Sequence, residues 1–154
     1  MSGANQHKLD PLWANFLGYA GVTPVLGLLI LGWTDQTWQQ QSVSLACSYG
    51  ALIFSFLGGI HWGFATAGAA SIKTFVPSVA PSLWAWAALA CPEGITLCAI
   101  IVGVLTFYIY ERRTTWVAKL PSWYLPLRLK LTLGLSLGLA GFLPLAGVLS
   151  LIHI

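Results

Sequence analysis

Residues 43–68 read VSLACSYGALIFSFLGGIHWGFATAG and contain no Asp, Glu, Lys or Arg. A run of this length and continuity is long enough, as a helix rising 1.5 Å per residue, to cross a hydrocarbon core about 30 Å thick. A β-strand would need only about ten residues and would alternate, which this run does not. The whole chain shares its character. Of 154 residues 57% are hydrophobic and 7% charged, where a soluble domain carries about 25% charged residues. So few charges cannot solvate a surface of this size, and the expected surroundings are lipid.

Working outward, four further apolar stretches appear at about 12–33, 75–91, 94–110 and 129–154. The expectation is an all-α integral membrane protein: one transmembrane domain over 1–154 with five helices. The first stretch is longer than the apolar region of a signal peptide, about 7–15 residues, so it is expected to remain as an anchor. The Cys91-Pro92-Glu93-Gly94 turn should join the third and fourth helices as an antiparallel hairpin. The segment 111–128 mixes Arg112, Arg113 and Lys119 with Trp116, Trp123 and Tyr124. It reads as an interfacial segment at the headgroup layer. Trp13 and Trp33, with Trp116 and Trp123, read as interface anchors.

With five spans, all seven basic residues fall on one side: Lys8, Lys73, Arg112, Arg113, Lys119, Arg128 and Lys130. Asp35 and Glu93 lie on the other. Enrichment of Lys and Arg on the cytoplasmic side then predicts a cytoplasmic N-terminus and a periplasmic C-terminus.

Residues 17–29 (LGYAGVTPVLGLL) echo residues 137–149 (LGLAGFLPLAGVL), with seven of thirteen positions identical, including Gly18/Gly138, Gly21/Gly141, Pro24/Pro144 and Gly27/Gly147. Internal repeats of this kind occur in transporters. A proline inside a helix cannot donate to the carbonyl four residues back, so both helices are expected to bend near Pro24 and Pro144.

On the second helix, Ala51, Ser55, Gly59, Gly63 and Ala67 lie four apart and form a ridge of small residues on which another helix can pack closely. His61 points away from that ridge, with Phe54, Leu57, Gly58 and Ala65. An ionisable group is costly against lipid, so His61 should face protein, water or a ligand, and the second helix should be central. By depth its expected neighbours are Trp62, Ser78, Ser82 and Arg128, which together make a candidate ligand pocket. Pro77 and Pro81 suggest an irregular start to the third helix beside it.

The run Tyr49 to Gly63 (YGALIFSFLGGIHWG) resembles the signature segment of the domain of unknown function 3429 family, the transmembrane protein 69-like proteins. The GYAGVTP of the first helix and the Arg128-Leu-Lys-Leu-Thr132 opening of the fifth are similar to that family's pattern as well. The resemblance spans nearly the whole chain. It singles out Tyr49, Ser55, Gly58, Gly59, His61, Trp62, Gly63 and Arg128, and implies a small multi-spanning membrane protein of bacterial or mitochondrial type. No activity comes with it. The bacterial branch, and so the bacterial inner membrane, fits an N-terminus without a transit segment.

No Ser–His–Asp set, Cys-x-x-Cys pair, phosphate loop or paired carboxylates can be assembled from the sequence. The four acids sit at helix ends, and His7 and His153 lie at opposite termini without zinc-like spacing. No catalytic residue, metal or cofactor is expected. Cys47, Cys91 and Cys98 read as small apolar side chains, with a Cys91–Cys98 disulfide beside the hairpin turn, in an oxidising periplasm, as the alternative. The expected partners are the lipid bilayer and either another membrane protein or a second copy, not nucleic acid. The leading reading is a non-enzymatic accessory or assembly protein of a larger membrane complex, with a respiratory complex suggested by the family's spread. The alternatives are a binder or carrier of a small lipophilic molecule such as a quinone around His61, or a small transporter.

Overall fold

The computed structural model describes residues 11–68 and 75–152. Lys8, Lys73, His7 and His153 therefore lie outside the described residues. Within them the chain forms seven α-helices and no strand: α1 (Pro11–Ala20), α2 (Thr23–Thr34), α3 (Gln39–Thr66), α4 (Phe75–Leu89), α5 (Glu93–Arg113), α6 (Tyr124–Ala140) and α7 (Leu143–Ile152). A 3-10 turn at Thr115–Lys119 joins α5 to α6. Four stretches are long and apolar enough to cross a membrane: Leu12–Thr34, Gln39–Thr66, Glu93–Arg113 and Tyr124–Gly147. At 15 residues, α4 spans only about 22 Å.

The first and last apolar stretches are each broken just before their proline, as the sequence predicts. The α1–α2 break at Gly21–Val22 exposes carbonyls that need partners, because unsatisfied backbone is expensive at membrane depth. Pro24 cannot donate to the Ala20 carbonyl, and the Thr23 hydroxyl does so instead at 2.7 Å. The Gly21 carbonyl accepts from the Tyr49 hydroxyl of α3, also at 2.7 Å. At the second break, the indole N–H of Trp33 donates to the Gly141 carbonyl at 3.3 Å. Tyr49→Phe should therefore cost about 0.5–1.5 kcal/mol, read as a lower thermal midpoint in detergent. An unchanged midpoint would mean that water or lipid serves the Gly21 carbonyl equally well.

The two broken stretches pack side by side and in parallel. A side chain grafted at Gly18, Gly138 or Gly141 would run into Leu131, Val25 or Leu29, at 2.7–2.8 Å, and one at Gly32 would meet Leu145 at 3.2 Å. Both sequence positions rise together along this seam. Branched side chains of one helix thus lie in the glycine hollows of the other, the close approach that packing in lipid requires.

α3 packs against α2, α4, α5, α6 and α7, so it is central, as expected from His61. The core of the bundle contains Val43, Ala46, Phe54, Leu97, Ile100, Leu139 and Phe142. α4 and α5 form the predicted hairpin. The buried Thr96 hydroxyl, 2.7 Å from the Ala88 carbonyl and 3.0 Å from that of Cys91, closes its turn. The expected irregularity of α4 is corrected. The helix runs unbroken through Pro81, and Pro77 sits in its first turn, where a missing N–H costs little. At the α2–α3 turn, the Thr37 hydroxyl and backbone N–H both donate to Asp35 Oδ1, at 2.6 and 2.9 Å. They hold that carboxyl below its usual range.

The chain itself covers only the first part of the small-residue ridge. Ala51 is buried and Ser55 half-buried, but Gly59, Gly63 and Ala67 are exposed. Nothing lies within 4 Å of where a Cβ would stand on Gly59 or Gly63. The face of α3 that packs within the chain is the adjacent one, through Gly50, Phe54, Leu57, Gly58 and His61. α4 reaches it because Gly58 lets the Ser78 carbonyl sit against the α3 backbone.

Candidate functional site

His61 is fully buried, on the inward face of α3 one and a half turns before that helix ends. Opposite it, the last turn of α5 turns Glu111 inward while Arg112 and Arg113 stay exposed. Glu111 is 1% exposed. Its Oε1 lies 3.1 Å from His61 Nε2 and accepts the Tyr124 hydroxyl at 2.6 Å. Its Oε2 accepts from Arg128 Nε at 3.0 Å. Tyr124 and Arg128 are one turn apart on α6, so one face of that helix supplies both. The Thr114 hydroxyl, donating to the Glu111 carbonyl at 2.7 Å, fixes the end of α5.

The electrostatics follow from the donors. A carboxylate beside an arginine accepts only, so the contact with His61 requires a hydrogen on Nε2. Glu111 and Arg128 cancel as a pair, the condition under which charge survives burial. His61 Nδ1 is buried without a partner, as is Trp116 Nε1. The imidazole is boxed by aromatic rings, Phe107 at 4.6 Å and Trp116 at 4.9 Å between centroids.

Of the five residues expected to share a pocket, the structure gathers only His61 and Arg128, and it joins them through Glu111. Trp62 points outward against the Phe75 ring at 4.7 Å. Ser78 donates to the Phe75 carbonyl at 2.6 Å, and Ser82 shares a 2.8 Å hydrogen bond with Ser55. These three belong to the α3–α4 side of His61, whereas the charged cluster lies on the α5–α6 side. Within 111–128, Glu111, Trp116, Tyr124 and Arg128 gather on the His61 side, with Trp116 buried as a wall, while Arg112, Arg113 and Lys119 stay exposed.

Glu111, Tyr124 and Trp116 were not among the residues expected at the site. The signal for Glu111 is in the register of α5. Leu97, Ile100, Val104, Phe107 and Tyr108 are buried at helical spacing, and Glu111 is the next position of that stripe.

A cavity of about 160 Å³ lies on the far side of Arg128, between α1, α3, α5 and α6. Its walls are apolar (Leu17, Val22, Ile53, Phe56, Leu57 and Leu131 among them), and its polar lining is Arg128 and Thr132. Leu17 and Phe56 are also exposed on the outer surface, so the cavity opens sideways. The three cysteines are unpaired, Cys47 buried and Cys91 and Cys98 exposed.

A family described as "Protein of unknown function (DUF3429)" matches residues 11–144. The chain is similar to Transmembrane protein 69 of Xenopus tropicalis, at 33% identity over 144 residues, covering 88% of this chain and 55% of that protein. It thus spans about half the length of that curated relative. No solved structure matches.

Proposed function

The chain belongs to the DUF3429 family, and on that premise we propose that this multi-pass helical membrane protein holds a small lipophilic molecule in the cavity beside Arg128. The observation that carries the reading is an apolar cavity, open sideways, in which a buried arginine and threonine are the polar groups. Binding sites for small molecules have this composition, mostly apolar walls with a few placed polar groups. The test is to extract the protein in mild detergent and identify by mass spectrometry what it retains. Wild type should carry a defined lipophile at about one per chain, and Ile53→Phe, which fills the cavity, should lose it. Equal retention by both, or none in wild type, would remove the cavity from consideration.

A second reading has the open face of α3 in its favour: an accessory or assembly protein of a larger complex in the bacterial inner membrane. Gly59 and Gly63 face away from the bundle beside exposed Phe56 and Trp62, a hollow in which a partner helix could lie. In this reading α4 also crosses, with the N-terminus cytoplasmic and the C-terminus periplasmic. The parallel packing of the first and last stretches supports it, because helices running the same way need an odd number of crossings. A reporter fused after Ile154 should be active only in the periplasm, and cytoplasmic activity there would overturn the topology.

A further inference from the structure

We infer that the cavity takes an uncharged, oxygen-bearing ring of the quinone class, held by the free N–H groups of Arg128 and the hydroxyl of Thr132. The inference rests on the cavity reading above and adds the chemistry of the ligand.

An arginine has five N–H donors. Arg128 gives its Nε hydrogen to Glu111 and also interacts with the Tyr124 hydroxyl, and these two partners occupy only part of its donor set. The side chain is nevertheless only 7% exposed, and it lines the cavity. Glu111 thus fixes the guanidinium through Nε while Arg128 lines the cavity. Thr132 stands one turn further along the same face of α6. It is 2% exposed, its Oγ1 has no partner, and it lines the same space. Two neighbouring buried side chains, both with donors to spare, call for a molecule with oxygen acceptors. Such a molecule completes hydrogen bonds that lipid tails cannot.

Charge selects among acceptors. Glu111 already neutralises Arg128, and the facing titratable groups, His61 and Tyr124, are both engaged with Glu111. An anionic head would add a second negative charge inside apolar walls, where little screens it. A carbonyl oxygen adds none. Size narrows the choice further. An apolar cavity of about 150 Å³ holds one benzene ring, and this one measures about 160 Å³. A single substituted ring fits, with an apolar tail leaving past Leu17 and Phe56 toward the lipid.

The test is calorimetric titration of the full chain in mild detergent with four probes sharing a decyl or decanoyl tail: decylbenzoquinone, decylbenzene, methyl decanoate and decanoate. Decylbenzoquinone should bind about 25-fold more tightly than decylbenzene, as expected for two hydrogen bonds of ordinary strength. Thr132→Val should weaken the quinone about fivefold, one such bond, and leave decylbenzene unchanged. Arg128→Lys, which keeps the charge beside Glu111 but loses the fork, should act the same way. Should either variant fail to fold, the ranking of probes on wild type decides alone. Equal affinity for the quinone and decylbenzene would overturn the head-group assignment while leaving a lipophile cavity standing. Preference for methyl decanoate would point to a lipid ester, and preference for decanoate to an anion; either result overturns the ring assignment. If no probe binds, the cavity reading falls with it.

Discussion

Glu111→Ala is expected to destabilise the bundle by about 3–5 kcal/mol, the range for removing one partner of a buried charge pair. The size follows from what is stranded. Arg128 would keep its charge at 6% exposure with its nearest carboxylate gone, while His61 Nε2 and the Tyr124 hydroxyl would lose their shared acceptor. His61→Ala should cost less, because Glu111 retains Arg128 and Tyr124. Glu111→Gln with Arg128→Met should recover most of the loss, since an uncharged pair of similar volume carries no desolvation penalty. A double-mutant cycle completed with Glu111→Gln alone and Arg128→Met alone would then return a coupling of opposite sign to the losses of those two variants. Thermal unfolding in detergent, followed by tryptophan fluorescence, measures each of these proteins. Wild-type stability in Glu111→Ala would mean that water reaches Arg128 and that the cluster does not hold α3, α5 and α6 together.

The identity of this cluster was only half legible in the sequence, for a physical reason. Length and apolarity locate a helix along the membrane normal, and the long runs did place His61 and Arg128 at one depth. Ser78 and Ser82 were matched to His61 by that same coordinate. Depth does not say which side of α3 a neighbour occupies, however, and the serines lie on the α4 side. Glu111 was missed because a hydropathy boundary at Tyr110 assigns everything after it to the interface. Its position on the buried stripe of α5 carries the better information, since a helix face continues past the end of an apolar run. The breaks at Gly21–Val22 and Gly141–Phe142 were legible because a proline removes a specific donor wherever it stands. The tertiary partners that repair them, Tyr49 and Trp33, were not, because they come from other turns and helices.

The neighbouring glycines of α3 should give opposite results, and together they test which face of that helix is occupied. Gly58→Ala places a methyl group against the Ser78 carbonyl. Backbone cannot swing aside as a long side chain can, so α3 and α4 must separate. That movement would strain the Ser55–Ser82 hydrogen bond close by on the same seam. A loss of about 3 kcal/mol is expected, toward the upper end for overpacking a tight contact. Gly59→Ala meets nothing within 4 Å and gains helix propensity, so the purified protein should be unchanged or up to about 1 kcal/mol more stable. Two alanines at adjacent positions of one helix have the same composition and the same depth, so only the azimuth can separate them. Equal losses at both would mean that α4 lies astride the two glycines and that the packing face is misassigned. A Gly59→Leu protein that is stable when purified, yet fails to assemble in its own membranes, would locate a second helix in the open hollow. In that event the same α3 would serve two neighbours, with Gly58 bound to the chain's own α4 and Gly59 left for a partner.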